Sequence, residues 1–360
     1  MTGDPRRESA LLSQEDAKPF LAHGRARSSL SFLRSSGGIL AATVLLFVAG
    51  GFVQPQSLSS GSLSGMIPFA AVLVIVALGQ TLVIQQGGID LSVPGMVSIA
   101  GVTISYFGHA EAATTGSTLG MALIISFAVA IVAGLIDGLL VSRARVTPIV
   151  TTLGMNALLY GLNVKISGGT PVAVPDSLSN FANGRLFGIT NLAYVAVAVT
   201  IAVIVVVKRT AFGRTFEAVG ANARAARAAG VVAGRYQLAA YTAATCLYCL
   251  AGILLAGLMK LPSAFQGDTY LLPSIAAVAI GGTSLFGGSG NLAASAIAAL
   301  FLSQLQQLVL TTGSSVGVQF LFQGAAIIVG VAVYSVNWKV LGATIQIFGG
   351  QMSPPRGQTA

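Results

Sequence analysis

Apolar runs long enough to cross a bilayer recur along most of the chain, separated by short polar segments. A spanning helix needs roughly 20 apolar residues, with about 17 at the lower limit. Ten stretches approach or meet that length: 37–53, 66–84, 91–107, 119–141, 146–164, 192–207, 238–258, 270–286, 292–310 and 318–336. The fifth carries Pro148, Asn156 and Asn163, and the eighth is short and flanked by Gly, so either could be a broken or partial span. Only 8% of the residues are charged, against about 25% in a soluble domain. Such a chain cannot cover its surface with polar groups and must leave apolar faces to lipid. The expected fold is an all-α integral membrane protein, a polytopic bundle of about ten transmembrane helices. One membrane domain covers 37–340, with a flexible cytoplasmic tail at 1–36 and a second at 341–360. A basic stretch before the first run resembles a signal peptide. No small-residue cleavage site follows it, so the run is read as an uncleaved first span.

The net charge of +9 does not point to nucleic acid, because of where the charges fall. With a cytoplasmic N-terminus and ten alternating spans, cytoplasmic segments hold 16 of the 19 basic residues. Only Lys165, Arg185 and Lys260 remain outside. This asymmetry is the positive-inside pattern, and it puts both termini in the cytoplasm of a bacterial inner-membrane protein. The runs within 60–165 and 236–340 would form two four-helix halves of opposite orientation, an arrangement common in transporters. Gly61/Gly65, Gly134/Gly138 and Gly313/Gly317 have the spacing that lets helices approach closely.

Catalysis finds no support. There is no phosphate-binding G-x-x-x-x-G-K-[ST] loop, and the two histidines, His23 and His109, lie in the tail and in an outer loop. No metal site, cofactor site or nucleophile–base pair can be assembled. Cys246 and Cys249 lie inside an apolar run and read as small buried helix residues. Of the acidic residues only Asp90 and Asp137 touch spans, both near ends. No carboxylate is therefore expected deep in the membrane, which weighs against coupling to an ion gradient.

Three groups of residues stand out. Gln85-Gln86-Gly87-Gly88-Ile89-Asp90-Leu91-Ser92 joins the second and third runs. The paired Gly residues permit a tight turn, and Asp90 suits the N-cap of the next helix. Residues 208–235 form a basic cytoplasmic loop containing Glu217. Within it Asn222 reads as an N-cap, the Ala-rich 223–229 as a short helix, and Gly230 as its stop. Arg224 and Arg227 share a face of that helix, either as part of a solvated loop or as a docking surface for a cytoplasmic partner. Finally, Asn156, Tyr160 and Asn163 share one face of the fifth run, and Gln304 and Gln307 share one of the ninth. Such amides either tie helices together or line a route for a hydroxyl-rich solute.

The stretch Gly87-Gly88-Ile89-Asp90-Leu91-Ser92, the loop from Phe212-Gly213-Arg214 through Gly220-Ala221-Asn222 to Ala229-Gly230, and the 275–290 segment IAAVAIGGTSLFGGSG resemble a known family. It is the ribose/xylose/arabinose group of sugar permease subunits in bacterial ABC importers, and the resemblance covers roughly residues 40–340. It implies a permease dimer, of identical or related subunits, with two cytoplasmic ABC ATPase subunits and a periplasmic sugar-binding protein. It also implies that 220–230 is the coupling helix seated in a groove of the ATPase. The outer segments 167–190 and 260–269 would then face the binding protein. At Asp137 the sequence departs from a neutral amide expected in many members. The expected function is ATP-driven import of a monosaccharide or similar polyol. The alternative is a self-contained secondary carrier or a channel for a small neutral solute.

Overall fold

The computed structural model describes residues 28–108 and 118–313 apart from 289, and isolated positions between 315 and 328. Nearly all of this is helix. In chain order the helices are α1 (Ser28–Val53), α2 (Ser60–Gln85), α3 (Val93–Gly108), α4 (Thr118–Ser142) and α5 (Pro148–Ser167). They continue with α6 (Asp176–Asn183), α7 (Asn191–Arg209), α8 (Ala211–Ala221) and α9 (Ala223–Ala228). The last are α10 (Ala233–Met259), α11 (Leu271–Ile280) and α12 (Leu292–Thr311). A small antiparallel hairpin, β1 (Arg185–Leu186) and β2 (Ile189–Thr190), lies between α6 and α7.

Six of these helices are long and apolar enough to cross a membrane, and three shorter apolar segments accompany them. This makes an all-α membrane protein. The first helix begins at Ser28, inside the segment read as tail. The fifth run is one continuous helix despite its polar residues, because Pro148 sits at its first position, where no hydrogen bond is lost. The eighth run is not: α11 has 10 residues, about 15 Å of helix, and 281–288 continues as turns, bends and irregular chain. Most of the run 318–336 and the tail 341–360 lie outside the described residues.

Helix α2 is the axis. In its most apolar stretch 89% of residues are buried by protein, against 17% in α7 and 28% in α4 and α5. Peripheral helices turn Ile124, Val150, Leu158, Val197 and Ile201 outward, as lipid requires. Helix α10 packs beside α2 and against α3 and α4. Small residues allow the approach: a Cβ on Gly252 would sit 2.3 Å from the Val97 carbonyl oxygen, and one on Gly138 2.6 Å from Leu238. Of the three Gly pairs noted above, Gly134/Gly138 makes such a contact, whereas Gly61, Gly65 and Gly313 meet nothing nearby.

Candidate functional site: a buried junction beneath a cytoplasmic helix

Lipid cannot hydrogen-bond an unwound backbone, so the 86–92 segment must be satisfied by protein. Gly87 takes φ 80°, where glycine carries no Cβ penalty. The Gly88 N–H donates to the Val83 carbonyl at 3.2 Å. The Leu91 N–H donates to Thr152 Oγ1 at 2.9 Å. Gln80 lies within 2.9 Å of the Tyr248 hydroxyl in either amide orientation. With its nitrogen toward the Asp90 carbonyl, it also reaches that oxygen at 3.2 Å and the Asp90 N–H at 3.3 Å.

Asp90 Oδ1 accepts from the Ser92 N–H at 2.9 Å and the Ser92 hydroxyl at 2.6 Å. The Ser92 carbonyl accepts from Met96 N–H at 2.9 Å, so Ser92 holds the cap position. Asp90 turns the chain two residues ahead of it. Asp90 and Asp137 are both fully buried by protein. Burial of this kind depends on which neighbours close over a side chain, and not on its distance from a helix end. Among the described residues neither Asp137 oxygen nor Asp90 Oδ2 has a hydrogen-bond partner.

The connection before α12, helix α8 and the end of α7 converge on the end of α2. The Gly288 N–H donates to the Gln85 carbonyl at 3.0 Å. A Cβ on Gly220 would fall 2.3 Å from that same oxygen, and one on Gly290 2.1 Å from Gln85 Nε2. Gln86 Nε2 donates to the Phe216 carbonyl at 2.8 Å. Lys208, at the end of α7, pairs with Glu217 on α8 and approaches the Gly290 carbonyl at 3.5 Å. Phe212 stacks on Tyr236 with ring centroids 5.1 Å apart, tying α8 to the start of α10.

From this base α9 projects. Asn222 Oδ1 accepts from the Arg224 and Ala225 N–H groups, both at 3.0 Å. Gly230, at φ 82°, ends the turn that follows. Ala226 faces a small apolar cluster with Val219 and Ala233, while Arg224 and Arg227 are exposed on the other side.

The amides singled out in the sequence separate. Asn156 Oδ1 accepts from the Gly95 N–H at 2.7 Å, joining α5 to α3. Asn163 donates to the Ala264 carbonyl, and the Tyr160 hydroxyl donates to Asp268. These three share one face and hold α5 to α3 and to the 260–270 connection. Gln304 is fully buried, and a Cβ on Gly50 of α1 would meet its amide at 3.4 Å. Gln307 instead lines a cavity with Gln266 and Gln306.

A family model described as "Branched-chain amino acid transport system / permease component" matches residues 62–331. The chain belongs to this permease family. "Probable ABC transporter permease protein y4mJ" of Sinorhizobium fredii (strain NBRC 101917 / NGR234) is 33% identical over 317 residues, 88% of this chain and 92% of that protein. "Autoinducer 2 import system permease protein LsrC" of Escherichia coli O9:H4 (strain HS) is 31% identical over 282 residues, 78% of this chain and 81% of that one. "Fructose import permease protein FruF" of Bifidobacterium longum (strain NCC 2705) is 32% identical over 260 residues, covering 71% and 72%. No solved structure matches the chain.

The permease is accordingly a multi-pass inner-membrane transport subunit of the ABC class, not an enzyme. Sequence reasoning missed several residues of its junction. Gln80 and Gln85 were visible as amides inside or at the end of an otherwise apolar run. Thr152 and Tyr248 carried no such signal, since hydroxyls are common in membrane helices and usually bond their own backbone.

Proposed function

We propose that the permease imports a monosaccharide or similar small polyol, delivered by a periplasmic binding protein and driven by ABC ATPase subunits docked on α9. The Gly220–Gln85 contact carries this reading. It puts the base of the exposed basic helix directly against the end of the axial helix, with no side chain between them. A push on α9 therefore reaches α2 and the 86–92 break through backbone, which yields little. The substrate class rests on the named relatives and on the amide-lined cavity. A pair of permease subunits, identical or related, completes the assembly.

The proposed topology has ten spans: the nine apolar helices described above and the run 318–336. The ends of the bundle differ in charge as a cytoplasmic and a periplasmic face should. One carries Arg143, Arg145, Lys208, Arg209, Arg214, Arg224, Arg227 and Arg235, and the other Lys165, Arg185 and Lys260. The irregular connections after α2 and after α10 lie at opposite ends, in keeping with two inverted halves. With Cys246 and Cys249 replaced by Ser, single cysteines at Ala225 and Ser177, both exposed, should label from opposite sides of the membrane. Labelling of both by an impermeant reagent from the periplasm would contradict this topology.

The docking role is tested by Arg224→Glu with Arg227→Glu. Each charge-assisted hydrogen bond lost costs about 1.5–3 kcal/mol, so ATPase co-purification should fall about tenfold or more while permease level is unchanged. Unaltered co-purification and uptake would remove both arginines from the interface.

A further inference from the structure

We propose that the cavity between α2, α10, α12 and the 260–270 connection is a solute-binding site of the permease, built for one neutral polyol. This rests on the import reading above. The cavity has a volume of about 460 Å³ and lies at the end of the bundle that is poor in positive charge. Among the described residues no Asp, Glu, Lys or Arg lines it. A charged solute would lose its hydration there without a counter-charge, at a cost of several kcal/mol.

Its polar groups are amides. Gln266 is 8% exposed; its Nε2 donates to the Val97 carbonyl at 3.3 Å, and its Oε1 is buried without a partner among the described residues. An acceptor left unpaired in such a wall is costly, and rotation of the amide toward the cavity would let a sugar hydroxyl supply the missing donor. Gln306 and Gln307, half-buried on α12, add donors and acceptors across the cavity. The apolar wall includes Phe69 and Phe265, which are 44% and 51% exposed, and Tyr270. Aromatic rings beside amides suit a sugar, whose C–H face is apolar and whose edge is hydroxylated. Two other cavities, of about 380 and 220 Å³, are walled almost wholly by Val, Ala, Leu, Ile and Phe and offer no amide side chain among the described residues. Absence of charge also keeps binding weak enough for onward release.

The α5 residues then act as positioning groups. Tyr160 packs on Phe265 with centroids 5.3 Å apart, and Asn163 holds the Ala264 carbonyl. From the other side the Ser98 hydroxyl accepts from the Gly267 N–H at 2.9 Å. Gln266 is thereby fixed between two anchored neighbours.

Two readouts test the site in the full assembly of permease, ATPase and binding protein in proteoliposomes, with D-ribose, D-xylose, L-arabinose and D-fructose as probes. In the first, Gln266→Leu and Gln307→Leu should each lower ATP-driven uptake about tenfold, the loss of one or two hydrogen bonds, while loaded binding protein still stimulates ATP hydrolysis as in the wild type. Uptake within about twofold of the wild type, or loss of ATPase stimulation together with uptake, would overturn the proposal. The second readout needs no transport. In a Cys246→Ser, Cys249→Ser background, Gln307→Cys should react with an impermeant thiol reagent more slowly when at least one of these four sugars is present, and unchanged reactivity with all four would overturn it. If the wild-type assembly moves no sugar with ATP, the import reading fails by itself, and cysteine protection still decides the cavity.

Discussion

Gly220→Val is expected to abolish uptake while leaving the permease folded in the membrane with its ATPase bound. A side chain at this position meets the Gln85 carbonyl oxygen at 2.3 Å, its carbon at 3.2 Å and Gln86 Nε2 at 3.3 Å. Two of these three atoms are backbone at the end of the axial helix, so α8 must lift away. The Gln86–Phe216 bond, 2.8 Å long, would then be strained or lost. Overpacking of this kind costs about 1–3 kcal/mol, which a membrane bundle can survive. The functional cost is larger, because α9 no longer bears on α2. ATP hydrolysis should continue without transport, and normal uptake by this variant would show that the contact transmits nothing.

Gly88→Ala is expected to destabilise the permease itself. Its Cβ would lie 2.2 Å from the Tyr241 hydroxyl oxygen. Tyr241 is 1% exposed, so its ring has nowhere to retreat. The expected loss is again about 1–3 kcal/mol, but here it falls on the core and should appear as reduced membrane level and a lower melting temperature in detergent. Tyr241→Phe removes the clashing atom. That hydroxyl has no hydrogen-bond partner among the described residues, so Tyr241→Phe alone should be nearly neutral and the double substitution should recover much of the loss. A stable Gly88→Ala protein, or a double variant no better than the single, would contradict the packing described.

Runs of apolar residues announced the spans because lipid and protein core both demand them. The same fact hid the interior: an apolar helix face looks alike in sequence whether it meets lipid or another helix. Helix α2 reads as one more span, yet it is the axis. The burial of Asp137 by protein was hidden for the same reason, since counting residues from a helix end does not say which face is covered. Asn222 and Gly230 were legible because caps act within one turn of chain. The meeting of Gln85 with Gly220 and Gly288 was not, since the three positions are far apart in sequence and no periodicity links them. On α5, shared spacing was legible as a shared face, and the structure adds that Asn156, Tyr160 and Asn163 hydrogen-bond to α3 and to the 260–270 connection. Gln266 gave no signal at all, being one polar residue in a polar connection.

The central claim is that ATP drives this permease through α9. Its most direct test is uptake into proteoliposomes containing the permease with its ATPase, supplied with binding protein and a sugar it binds. Accumulation should require ATP and the ATPase, and should be abolished by the paired Arg224→Glu and Arg227→Glu substitutions. Accumulation by the permease alone, driven by a proton or sodium gradient and lost on replacing the buried Asp90 or Asp137 with Asn, would contradict the account.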